Sequence, residues 1–239
     1  MKKKLLIIIP LTVLLILLTG FAVYVGDYHH ADEKALEALR SDDEVTVTEE
    51  DFGWLFDGPA KGYALIFYPG GKVEEKAYAP LCRLMAEEAL DVYLLTMPFN
   101  LAVFGKNKAA EIMEEHPNEY WYLAGHSLGG VMAAQFAAEN PEKVQGLVLL
   151  ASYSTGKLDS SLPVISVYGS EDQVLNRQEY DKNHVNLPAS AYELVIAGGN
   201  HAQFGSYGFQ KGDGQALISS DEQIQSVVRL MKLWLFREN

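Results

Sequence analysis

The hydrophobic pattern along the chain changes period many times. After an unbroken apolar run from Leu5 to Gly26, segments with helically spaced apolar residues alternate with short, almost wholly apolar runs. VTVTE (Val45 to Glu49) and GWLFDG (Gly53 to Gly58) predict an opening hairpin, and YALIFYPGG (Tyr63 to Gly71) a buried strand. EEKAYAPLCRLMAEEAL predicts an amphipathic helix, DVYLLTMP a strand, and NKAAEIMEEHP a helix stopped by Pro117. YWYLAG predicts the next strand, followed by GGVMAAQFAAENP, a helix whose small residues can approach a sheet closely. VQGLVLLASY, PVISVYGSED and AYELVIAGGNH predict three further strands, with a helix (RQEYDKNHVNLP) between the last two. SDEQIQSVVRLMKLWLF closes the chain with apolar residues at helical spacing.

Apolar strands separated by helices indicate a mostly parallel sheet covered on both faces. The expected fold class is therefore α/β, with about eight strands, over residues 45–239. In such sheets ligands bind beyond the carboxyl ends of the strands, so the chemistry should lie there.

The uncharged run from Leu5 to Gly26 is long enough to cross a bilayer as a helix. Lys2, Lys3 and Lys4 precede it, which places the amino terminus in the cytoplasm and the rest of the chain outside. Residues 1–26 are thus expected to form an anchor, and 27–44, containing ADEKALEALRSDD, a helical spacer. A signal peptide is the competing reading, since Gly20 and Ala22 offer small residues for cleavage; the protein would then be secreted. No cysteine stands at or just beyond the end of the run, which argues against a lipoprotein anchor.

Charge and cysteine content narrow the function. A formal net charge of -13 argues against nucleic acid as a partner, because phosphate binding needs a basic face. Cys82 is the single cysteine, so neither an internal disulfide nor a Cys-based metal site can form. Its place in an amphipathic helical pattern marks it as a small core hydrophobe. No cofactor or metal is expected.

The candidate chemistry begins at Gly125-His126-Ser127-Leu128-Gly129, between a strand and a helix. In G-x-S-x-G at such a junction the serine sits on a tight turn that lifts its hydroxyl above the sheet, and the glycines remove side chains that would collide with neighbouring backbone. A helix N-cap serine is the structural alternative. A serine nucleophile needs a base held by a third group. His201 ends the last expected strand and Asp172 follows the preceding one, so both belong to the same edge as Ser127. His126 reads as a packing residue, because neighbours on a sharp turn point apart. His116, His184, His29 and His30 lie elsewhere, and Glu171 and Asp159 compete with Asp172 less well. An oxyanion would be met by the backbone N–H of Leu128 and by that of Gly71 or Lys72 in the PGGK turn.

Taken together, YPGGKV, MPFN, GHSLGG, YGSEDQV and GGNHAQFGSYG resemble the small, lidless α/β-hydrolases of the fold-five family, which are similar to dienelactone hydrolases. The resemblance covers about Val45 to the carboxyl terminus. It implies Ser127 as nucleophile, Asp172 as acid, His201 as base, and the PGG loop with Leu128 as the oxyanion hole. Only Tyr153 to Leu162 separate the sixth and seventh strands, where many relatives insert a lid.

Without a lid, loops at the strand ends must wall the pocket. Met97, Phe99, Tyr153 and Phe204 are the expected substrate-binding residues, with Phe104, Tyr207 and Phe209 further out. The glycine-rich run Gly205 to Gly214 is expected to be a mobile rim; it lacks the context of a phosphate-binding loop. The expected function is a membrane-anchored, extracytoplasmic serine hydrolase that cleaves a carboxylic ester or thioester, small or lipid-derived, through an acyl-enzyme. Amidase or acyltransferase chemistry uses the same residues, and a non-catalytic binding protein on the same fold is the alternative from another class.

Overall fold

Each change of period becomes an element boundary. The structure, a computed structural model, describes residues 2–59, 62–88, 90–116 and 120–235. Ala89, Pro117 and Phe236, at the ends of three expected helices, lie outside the described residues. Helix α1 (Lys2–Gly26) and the short α2 (Glu33–Glu37) precede the hairpin β1 (Thr46–Glu50) and β2 (Gly53–Asp57). Strand β3 (Tyr63–Tyr68) is followed by a 3-10 turn and α3 (Ala79–Glu87), then by β4 (Asp91–Leu95) and α4 (Lys108–Glu115). Strand β5 (Tyr120–His126) runs into α5 (Leu128–Glu139), and β6 (Gly146–Leu150) and β7 (Val164–Gly169) come next. Helix α6 (Arg177–Asn183), strand β8 (Tyr192–Ile196) and α7 (Ser220–Leu235) are the last elements among the described residues.

The strands form one eight-stranded sheet in the order β1-β2-β4-β3-β5-β6-β7-β8. β1 and β2 are antiparallel to their neighbours; all other pairs are parallel. Side chains alternate across β3, with Leu65 and Phe67 in one core layer and Ala64, Ile66 and Tyr68 in the other. Helices α3 and α7 cover the first layer, where Cys82 is fully buried, and α4 and α5 cover the second. Burial pushes the Cys82 thiol pKa up, which keeps it protonated and inert.

Register decides where the site falls. Tyr68 pairs with Gly125, so β3 and β5 end level and the 69–72 turn stands beside Ser127. The helices after these two strands leave to opposite faces, which opens a crevice between their ends.

Residues 27–44 do not stand off from the domain as a spacer would. His29 forms a parallel bridge with Val73, the Asp32 N–H donates to the Ser206 carbonyl at 2.9 Å, and Ala35 is fully buried. Arg83 Nε donates to the Ala38 carbonyl at 2.9 Å. The segment is a strap that docks onto the first core layer. The stretch Ile9–Gly26 of α1 is long and apolar enough to cross a membrane, and it packs into no core.

Candidate active site

Ser127 occupies the junction of β5 and α5 at φ 51°, ψ -123°. Positive φ costs a residue with a Cβ about 1–2 kcal/mol, so the surroundings must impose it. They do. Its N–H donates to the Leu150 carbonyl at 2.9 Å, and its carbonyl accepts from Ser152 Oγ at 2.8 Å. A Cβ on Gly129 would stand 2.2 Å from the Tyr68 carbonyl oxygen, and one on Gly125 would stand 2.6 Å from the Gly130 nitrogen. Those contacts explain the glycines. The hydroxyl makes no capping bond to α5, which removes the N-cap explanation of Ser127.

Strain is concentrated at this edge. Among the described residues, the non-glycine positions with positive φ are Lys72, Phe99, Asn100, Ser127 and Ala151. They follow β3, β4, β5 and β6, four adjacent strands, at their carboxyl ends.

His201 and Asp172 meet here. His201 Nδ1 lies 2.8 Å from Asp172 Oδ2, and both side chains are almost fully buried. The other carboxylate oxygen of Asp172 accepts the N–H groups of Val174 at 2.9 Å and Leu175 at 2.8 Å, so the acid is oriented from both sides. Ser127 and His201 line one cavity of about 220 Å³, together with Leu128, Val131, Tyr153 and Leu175. With Nδ1 engaged by Asp172, the other ring nitrogen of His201 is left for the cavity. A second cavity, of about 290 Å³, lies behind the His201 loop and does not include Ser127.

The competitors are committed elsewhere. His184 Nε2 pairs with Glu193 at 2.6 Å, and His116 packs on Phe52 and Tyr93. Glu171 accepts from Ser170, Asp159 from Ser161. His126 is buried, with Nδ1 2.8 Å from the Tyr78 hydroxyl and its ring centroid 4.5 Å from that of His201. Burial and the neighbouring His201 hold its pKa well below the usual histidine value, so it is neutral. Tyr78 accepts the Gly70 N–H at 3.0 Å and shares a second hydrogen bond with His126 Nδ1. The chain Gly70–Tyr78–His126 thus ties the turn after β3 to the serine turn.

That turn distinguishes the two expected oxyanion donors. The Lys72 N–H is spent on the Asn100 carbonyl at 2.8 Å, which corrects the expectation that it could serve. Among the described residues, the Gly71 N–H has no partner, and Gly71 lies directly against Leu128. The Leu128 N–H is one of the unpaired donors at the start of α5.

Of the expected pocket residues, Tyr153 lines the cavity. Met97 and Phe204 do not; they are 3% and 0% exposed and belong to the two cores. Phe99 is exposed and touches Phe21 and Phe104 instead. The Gly205 to Gly214 run is pinned at both ends. Ser206 N–H donates to the Ala77 carbonyl at 2.7 Å, and Asp213 accepts from the N–H groups of Ala202 at 2.9 Å and Gln173 at 3.2 Å. Asp213 therefore joins the His201 loop to the Asp172 loop. Asn200 and Gln223 add a reciprocal pair of hydrogen bonds at 2.8 and 3.0 Å. Sequence pattern does not single out this clamp, although an uncharged amide at an inward position of α7 is a signal that could have done so.

The sheet order, the strained serine turn and the buried His–Asp pair define an α/β-hydrolase type of architecture. The chain belongs to the alpha/beta hydrolase family, whose model matches residues 64–225. Among solved structures it is similar to the carboxylesterase CesB from Bacillus subtilis, with TM-score 0.58 and 13% identity over 87% of this chain and 96% of that one. A monoacylglycerol lipase from Paleococcus ferrophilus aligns with TM-score 0.59 and 14% identity, over 80% of this chain and 99% of the lipase. The dienelactone hydrolase from Anabaena variabilis aligns at 0.57 and 14%, over 81% and 96%. No curated protein matches the sequence significantly.

Proposed function

We propose that the protein is a membrane-anchored serine hydrolase that cleaves carboxylic esters or thioesters outside the cytoplasm, with residues 1–26 as anchor and 45–239 as the catalytic domain. The observation that carries this reading is the cavity shared by a strained, uncapped Ser127 and a His201 bonded to Asp172 at 2.8 Å. In acylation, Ser127 Oγ attacks the carbonyl carbon while His201 takes the hydroxyl proton. The C–O or C–S bond to the leaving group then breaks, and His201 returns the proton to that group. In deacylation, His201 deprotonates a water molecule that attacks the acyl-serine, and the proton passes back to Ser127 as the acid departs. Asp172 holds the imidazole in the tautomer that presents its free nitrogen. Leu128 and Gly71 donate their N–H groups to the oxyanion, a stabilisation worth about 3–4 kcal/mol per donor in such sites. The carboxylesterase and lipase among the structural relatives support an ester as the substrate.

The test is hydrolysis of p-nitrophenyl esters from acetate to long acyl chains by the full chain in detergent, compared with Ser127→Ala. Turnover by the wild type alone supports the reading; equal turnover by both removes it.

The Tyr78 hydroxyl acts in this account as a positioning group for Gly71 through Gly70. Tyr78→Phe is expected to lower kcat about tenfold with KM nearly unchanged, because the donor it misplaces matters most in the transition state. An equal change in KM, or none in kcat, would show that the hydroxyl only satisfies buried groups.

A further inference from the structure

Helix α1 does not leave the domain at an arbitrary point. Its last turns lie against the loops that carry the candidate site: the Phe21 ring stands 5.2 Å from that of Phe99, and Lys72 Nζ lies 4.7 Å over the Tyr24 ring and 2.9 Å from Asp27. Lys72 follows β3, which pairs with the strand that carries the serine turn, and Phe99 follows β4, the next strand out. The carboxyl edge of the sheet therefore faces the last turns of α1.

Beside that contact the surface is apolar. Phe99 is 53%, Val103 48% and Phe104 54% exposed, on two successive 3-10 turns, and the Phe99 and Phe104 rings touch at 5.7 Å. Phe99 is held outward at φ 59°, a conformation that a bulky residue does not adopt without constraint. The patch is continuous with the exposed apolar surface of α1 through Phe21. At about 1.5 Å per residue, Phe21 lies about 7 Å along the axis from Gly26, the end of the apolar run. With that run across a bilayer, Phe99 is level with the outer few ångströms of the acyl region, the depth at which interfacial apolar groups settle. Tyr24, Asp27 and Lys72 then stand at the headgroup level, where aromatic and charged side chains belong.

We infer that the catalytic edge is docked on the outer leaflet of the bilayer that α1 crosses, with Phe99, Val103 and Phe104 among its acyl chains, and that the substrate is a long-chain acyl ester resident in that leaflet. The inference rests on the reading of α1 as a retained membrane span and of Ser127 as an esterase nucleophile. The cavity at Ser127, about 220 Å³, is smaller than the roughly 300 Å³ at which pockets begin to enclose whole ligands. It takes the ester and a short stretch beside it. The rest of a long chain needs apolar surroundings outside the cavity, and the leaflet under the patch supplies them.

The experiment places the full chain in phosphatidylcholine vesicles with a nitrobenzoxadiazole probe on Val103→Cys, or on Glu142→Cys at the opposite edge of the sheet. Cys82 is buried and does not compete for the label. Lipid carrying a nitroxide near the headgroup is expected to quench the probe at 103 several-fold more than that at 142. Equal, weak quenching at both sites while the protein floats with the vesicles would overturn the docking. Failure to float with the vesicles at all would remove the anchor and the docking together. Neither readout needs activity, so a failure of the hydrolase reading is seen separately, as absence of p-nitrophenyl acetate turnover. For the substrate class, Val103→Asp is expected to lower turnover of a long-chain ester in vesicles about tenfold, with p-nitrophenyl acetate turnover unchanged. An equal fall on both substrates, or on neither, would contradict it.

Discussion

Ser127→Ala is expected to lower kcat/KM for p-nitrophenyl ester hydrolysis by about ten-thousandfold or more, with the fold intact. The size follows from what the hydroxyl does in the proposed cycle: without it there is no acyl-enzyme, and only the oxyanion donors and binding remain. The fold should tolerate the change, because Ser127 is held through its backbone, by Leu150 and Ser152, and its side chain makes no capping bond. Alanine also relieves no strain at φ 51°, since it carries the same Cβ. His201→Ala should lose about as much, and combining the two should cost little more than either alone, as is usual for groups that act as one unit. Additive losses in the double variant would mean that the two side chains serve separate steps. The measurement is steady-state kinetics on the purified variants, with circular dichroism as the check on folding.

Gly129→Ala is expected to have the largest effect on stability. Its added Cβ would stand 2.2 Å from the Tyr68 carbonyl oxygen and 2.3 Å from that of Pro69. Both are backbone atoms at the end of the central strand β3, so neither can swing aside. Either α5 must retreat from the sheet or the turn bearing Gly71 must move. A cost of about 3 kcal/mol is expected, or roughly 6–12 °C in Tm for a domain of this size. Activity should fall with it, because either movement separates Leu128 from Gly71. Gly156→Ala is the matched control. Its Cβ would meet only the Ala138 methyl at 3.4 Å, and Tm should change by no more than about 2 °C. Differential scanning calorimetry of the two variants reads both outcomes, and similar Tm values would show that the β3–α5 approach is not tight.

These predictions separate what the sequence makes legible from what it leaves hidden. Most of the strands are readable because they are short apolar runs closed by glycine, proline or an acid, and the three candidate residues are readable because each sits at such a closure. Met97 and Phe204 show the limit. An apolar side chain just past a strand end can turn into a core or toward a pocket, and local pattern does not say which. The strap formed by residues 27–44 is hidden for a related reason. Its docking depends on backbone bonds from His29 and Asp32 to loops far along the chain, which no periodicity encodes. Backbone strain at Lys72, Phe99, Asn100 and Ala151 is equally invisible, because only glycine advertises positive φ in a sequence. The clamp of Asn200, Asp213 and Gln223 turns a glycine-rich run that reads as mobile into a fixed support for His201.

The most direct test of the central claim is to react the full chain with a fluorophosphonate and locate the adduct by peptide mass spectrometry. The account predicts one phosphonyl group per chain, on the Ser127 hydroxyl, with labelling suppressed in His201→Ala because the serine then has no base. A folded protein that takes no label, or takes it on a serine other than Ser127, would contradict the proposed chemistry.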